Sequence, residues 1–90
     1  MWVIEYVHEA VKQLKSLPAS DRRKVITKLE KTAETENPTL FPHVNFLAGK
    51  LKGFYRLRVS NIRVIFQMEH GSRTITVFTV LHRKNAYRKK

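Results

Sequence analysis

Three arginines are the residues most able to do chemistry in this chain. In FYRLRVSNIRVIFQM, β-strand alternation turns Phe54, Arg56 and Arg58 to one side and Tyr55, Leu57 and Val59 to the other. A two-residue turn at Ser60-Asn61 pairs Val59 with Ile62, Arg58 with Arg63 and Arg56 with Ile65, which gathers Arg56, Arg58 and Arg63 on one face. Like charges opposed across a strand pair are unfavourable. A solvated sheet face is the plain reading of such a cluster. A cationic, partly aromatic face that takes a phosphate backbone and stacks on a base is the functional one. A tight turn at His70-Gly71 adds Thr76, Phe78, Val80 and His82 to that face, and a loop one residue longer reverses the phase. Histidine is the side chain whose ordinary protonation range suits proton transfer near neutral pH, which makes His82 a candidate acid or base. Arg83 and Tyr87 follow it within five residues.

Metal chemistry has no residues to work with. Beyond Glu36 the only acid is Glu69, and the histidines at 8, 43, 70 and 82 lack ligand spacing, so neither a two-metal site nor any cofactor is expected. The three glycines form no phosphate loop. Cleavage of nucleic acid by this chain would rely on cations, a histidine and a phenol.

The elements that must position these residues read as follows. WVIEYV is aromatic and β-branched, a strand. Val7, Ala10, Val11, Leu14 and Leu17 share one face of a helix that Pro18 ends. Ser20 is expected to cap a second helix with Val25, Ile26, Leu29 and Ala33 inward and Arg22, Arg23, Lys24, Lys28 and Lys31 around it, stopped by Asn37-Pro38. Residues 37–53 read as a surface loop with Leu40, Phe41, Phe46, Leu47 and Leu51 pinned to the core. FYRLRV, IRVIFQM and TITVFTVL then form an antiparallel meander whose Tyr55, Leu57, Val59, Ile62, Val64, Phe66 and Met68 face the helices. The expected fold is α+β in a single domain, 1–90: an N-terminal strand, a helical hairpin, then an antiparallel three-stranded meander, with the helices packed on one sheet face.

Composition narrows the partners. Eighteen Lys and Arg against seven Asp and Glu give +11 over 90 residues. Residues 1–45 carry only +1 of this, and residues 46–90 carry +10. A basic half beside a near-neutral half suggests a polyanion-facing surface. The chain lacks cysteine, so it has no disulfide, thiolate site or catalytic thiol. Its apolar runs fall well short of the ~18 residues of a membrane span. A cytoplasmic protein with no membrane partner is expected.

KLKG (50–53), YRLRVSNIRVIFQ (55–67) and HRKNAYR (82–88), in the order β–α–α–β–β–β, resemble the RelE/ParE toxin superfamily over nearly the whole chain. MWVIEY and the SLP of the helix turn are also similar to its HigB-like branch. The resemblance implies the toxin of a type II toxin-antitoxin system. A RelE-type member is a ribosome-dependent mRNA endonuclease (an mRNA interferase) that inhibits translation and needs no metal. Its ribose 2′-OH attacks the adjacent phosphate, which requires a proton acceptor, cations around the phosphorane and a donor for the leaving oxygen. Carried over, the family's catalytic positions fall on Arg56, Arg58, Arg63, Arg83 and Tyr87, with His82 added as acid or base. Relatives carry lysines where this chain has Arg56 and Arg58, and arginine does not deprotonate, so the base is left to His82 or Tyr87. Lys50, Lys52, Lys84, Arg88 and Lys89 add RNA-binding charge. Implied partners are mRNA on the ribosome, with ribosomal RNA contacts, and a cognate acidic antitoxin. A ParE-like inhibitor of DNA gyrase, binding without cutting, is the alternative, and a non-catalytic RNA- or ribosome-binding module is a third.

Overall fold

Apolar stripes on two helices and one apolar face of a sheet close a common core. The computed structural model describes residues 1–82. In chain order it contains β1 (Val3–Tyr6), α1 (His8–Ser16), α2 (Ala19–Glu34), a 3-10 turn (Pro38–Leu40), β2 (Val44–Phe46), a second 3-10 turn (Gly49–Leu51), β3 (Tyr55–Val59), β4 (Ile62–Glu69) and β5 (Thr74–His82). The sheet order is β1-β5-β4-β3-β2, with β1 parallel to β5 and every other pair antiparallel. Ala10, Leu14, Leu17, Val25, Leu29 and Ala33 from the helices meet Leu57, Val59, Ile62, Val64, Phe66, Ile75, Val77 and Val80 from the sheet, all buried. The expected α+β arrangement and its helix-facing residues are therefore present.

The helical hairpin is closed by one side chain. Leu17 is held extended before Pro18, as the proline ring requires. Arg22 then reaches back from α2, donating Nε to the carbonyl of Leu14 at 3.3 Å and Nη2 to those of Leu17 and Lys15 at 3.0 and 3.4 Å. A guanidinium at the C-terminus of α1 satisfies orphan carbonyls and complements the helix dipole. Ser20 is not the cap of α2: Pro18 occupies that position and no side chain caps the helix. The Pro18 carbonyl accepts from the Arg22 amide at 2.9 Å, so the helix starts before Ser20 and takes that residue into its first turn, where its side chain no longer precedes the free amides. At the other end Trp2, buried, donates its amide to Ala33 and its Nε1 to the Glu36 carbonyl, tying β1 to the C-terminus of α2.

The segment read as a loop corrects two expectations. It contains β2, which pairs antiparallel with β3 through Val44↔Leu57, Asn45↔Arg56 and Phe46↔Tyr55. Three residues carry too little alternation to be visible in sequence, and β2 exists because β3 offers it a ladder. Leu40, Phe46 and Leu51 are not pinned to the core: they are 78, 59 and 47% exposed. Phe41 does pack against the core. Phe46 instead sits edge-on to Tyr55 (5.7 Å), which stacks on Phe66 (5.6 Å), an aromatic ladder across three strands.

Arg22→Ala is expected to lower the free energy of unfolding by ~1–2 kcal/mol, because charged hydrogen bonds to the part-buried carbonyls of Leu14 and Leu17 are lost while Coulomb effects at this half-exposed site are screened; urea titration measures it. Burial, then the nearby Glu30 carboxylate, raises the pKa of the Tyr6 phenol. The folded chain therefore keeps that proton at pH values where the unfolded chain has lost it, so stability should fall above the ordinary tyrosine value of ~10. Tyr6→Phe should show a shallower loss between about pH 9 and 11 in thermal unfolding.

Candidate functional site

The register of β3 against β4 is the expected one: Val59↔Ile62, Arg58↔Arg63, Leu57↔Val64 and Arg56↔Ile65. Burial of Leu57, Val59, Ile62, Val64 and Phe66 commits the other face to Arg56, Arg58 and Arg63. Arg58 and Arg63 lie directly opposite one another and, with Ser60 and Asn61, line a pocket of about 280 Å³. Arg58 is exposed and Arg63 half-buried. Ser60 makes the turn in a left-handed conformation, φ 57°, unusual for a residue with a Cβ.

Arg56 differs from its neighbours. It lies between Asn45 of β2 and Ile65 of β4, and its Nε is buried with no hydrogen-bond partner among the described residues. An orphaned charged donor costs ~1–3 kcal/mol or more, which an anion accepting from it would recover. Beside it Phe54 meets Phe78 edge-to-face at 5.3 Å. Cations and an aromatic pair thus share one surface, as the spacing of the first meander strand implies. Asn45 belongs to this surface and was not foreseen, because its strand was not.

The far end of β5 departs from simple alternation. The β4–β5 connection runs from His70 to Arg73, two residues longer than a turn centred on His70-Gly71, which preserves the phase: Thr76 pairs with Gln67 on the arginine face. An irregularity between Ile65 and Phe66 then sets Phe66 against Val77 and Ile65 against Thr79, with Phe78 as the extra residue. Phase is reversed beyond it. Val80, expected on the arginine face, is buried opposite Val64, and Leu81 takes the place opposite Arg63. His82 pairs with Ile62, on the helix side of the sheet and not among the arginines. Gln13 of α1 reinforces this phase, its Oε1 accepting the Val80 amide at 2.7 Å where β1 no longer covers β5.

Lys50 and Lys52 lie exposed on the second 3-10 turn and the residue after it, at the β2–β3 end of the sheet. Arg83, Lys84, Tyr87, Arg88 and Lys89 lie outside the described residues. Among the described residues no group of three His, Asp or Glu is placed to hold a metal ion, and no helix is long and apolar enough to cross a membrane.

Comparison with known proteins places this arrangement. Residues 4–87 match the family described as ParE toxin of type II toxin-antitoxin system, parDE. Curated proteins give no match in sequence. Among solved structures, the RelB-RelE antitoxin-toxin complex of Methanococcus jannaschii is similar at 26% identity and TM-score 0.74, covering 92% of this chain and 94% of that one. The archaeal RelE-RelB complex of Pyrococcus horikoshii is similar at 25% identity and TM-score 0.74, covering 91% and 94%. A YoeB/ParE toxin from Agrobacterium tumefaciens shares the fold at TM-score 0.76 and 12% identity, covering 89% and 96%.

Relief of the Arg58–Arg63 opposition should be measurable. Arg58→Thr, which also suits a strand better, is expected to raise the unfolding free energy by up to ~1 kcal/mol. A destabilised variant in urea titration would show that the opposition is not a cost.

Proposed function

The chain belongs to the ParE family of type II toxin-antitoxin toxins, within the RelE/ParE superfamily, and from that premise we propose that it is an RNA-directed toxin that cleaves mRNA on the ribosome without a metal. The observation that carries the reading is the buried, unpartnered Nε of Arg56 beside the opposed pair Arg58 and Arg63. Three guanidiniums on a rigid sheet can hold a phosphodiester and accept the charge that grows on its oxygens as the ribose 2′-OH attacks. Because the donors are fixed by the ladder before substrate arrives, little reorganisation is spent at the transition state. Phe54 and Phe78 offer a face on which an unstacked base can lie. Arg56, Arg58 and Arg63 bind and stabilise; none can act as base.

Proton transfer moves, in this reading, away from His82. Its pairing with Ile62 turns it from the arginines, so in this reading the phenol of Tyr87 carries the proton and Arg83 joins the phosphate-binding arginines. Lys50, Lys52, Lys84, Arg88 and Lys89 extend the contact with RNA. The partner in the cell is a cognate antitoxin, as in the RelB-RelE complexes to which the fold is similar. An acidic segment laid over the arginines would both neutralise their repulsion and block RNA.

The ParE family match itself favours a second reading, inhibition of DNA gyrase by binding without cleavage. Primer extension on a defined message in a purified translation system separates the two. Breaks confined to translated message are the expected result, and Arg63→Ala or Tyr87→Phe should reduce them by about 10²–10³ with unfolding midpoints near wild type. Intact message together with inhibited DNA supercoiling would establish the second reading instead.

A further inference from the structure

A groove on the other side of the Ser60 turn shares only Ser60 with the site above. It measures about 670 Å³, with Arg23, Lys24, Lys28 and Lys31 of α2 along one wall and Val59 and Ser60 along the other. The hydroxyl residues Ser20 and Thr27 complete the α2 wall. These positions form one stripe, spanning about 12 Å from Arg23 to Lys31. Of the three acids of α2, Glu30 and Glu34 line a separate cavity with Met1, Trp2 and Ile4, and Asp21 in the first turn is not among the residues that line the groove. None of the four cations makes an ion pair among the described residues, where the salt bridge is Glu9–Lys12 at 3.8 Å. Adjacent like charges such as Lys24 and Lys28 weaken a helix by a few tenths of a kcal/mol each, so this stripe is held against local stability.

We propose that the α2 groove docks the backbone of double-helical RNA. Four cations with two hydroxyls suit phosphates and ribose 2′-hydroxyls, which an A-form helix displays across its wide, shallow minor groove. A peptide helix is the poorer occupant, because the sole apolar lining residue is Val59, itself buried, and an amphipathic partner would find no floor for its apolar face. Ser60 lines both this groove and the Arg58–Arg63 pocket, so the two cationic surfaces meet at the turn. The choice of RNA over DNA rests on the RNA-directed reading given above. The groove then anchors the toxin on structured RNA while the arginine face engages a single strand.

The test is fluorescence anisotropy of the full chain with a labelled RNA duplex and a DNA duplex of the same sequence, from about 50 to 200 mM salt. The triple variant Lys24→Gln/Lys28→Gln/Lys31→Gln should bind the RNA duplex at least ~10-fold more weakly at the low-salt end. The slope of log affinity against log salt should flatten by about 2–3, with an unfolding midpoint equal to or above wild type. Unchanged affinity and slope would overturn the proposal, as would an equal loss on the DNA duplex. Should binding be restored to wild type by Arg at the same three positions but not by Gln, charge and not helix packing is responsible. No cleavage is needed for this readout: duplex binding without breaks in message contradicts the endonuclease reading alone, and breaks in message with unaltered duplex binding by the triple variant contradict the groove alone.

Discussion

The β3–β4 ladder is the constraint on which the rest of the molecule depends. Its two-residue connection sets which side chains are opposed, and burial of Leu57, Val59, Ile62, Val64 and Phe66 against the helices removes any freedom to slip. A slip of β4 by one residue would put Ile62, Val64 and Phe66 in water and Arg63 in the core. Burying each large apolar side chain contributes about 1.5–3 kcal/mol, whereas one opposed like-charge pair costs less than ~1 kcal/mol, so the apolar face wins and the arginines are carried together. The strained Ser60 and the crowded cations are consequences of that ranking. Such local costs concentrate where a ligand restores the balance, as an anion accepting from the buried Nε of Arg56 would.

Charge is distributed by the fold in a way that segment totals conceal. The first 45 residues are nearly neutral, yet α2 sorts four of its five cations to one stripe and Glu30 and Glu34 to another, so a helix with modest net charge presents a basic wall. That wall meets the Ser60 turn, as does the arginine pocket. Membership of a toxin family gives both surfaces a common setting, since a partner protein can relieve repulsions that the isolated fold carries.

The strong periodicities were legible in the chain itself: helix faces at spacings of three and four, strands at spacings of two, and a turn at Ser60-Asn61. From these come the α+β architecture, the helix-facing set of seven meander residues, and the meeting of Arg56, Arg58 and Arg63. Those features depend on local hydrophobic patterning and on one short connection, which are properties of contiguous sequence. Tertiary structure decided the remainder. β2 exists only because β3 templates it, the exposure of Leu40, Phe46 and Leu51 follows from its place at the sheet edge, and the cap of α2 passed from Ser20 to Pro18. The bulge at Phe78 reverses β5 so that Val80 enters the core, where Gln13 of α1 takes its amide, and His82 leaves the arginine face. No residue near Phe78 announces that reversal, because its phase is set by packing partners distant in sequence, and alternation alone carries no information about where a strand must accommodate them.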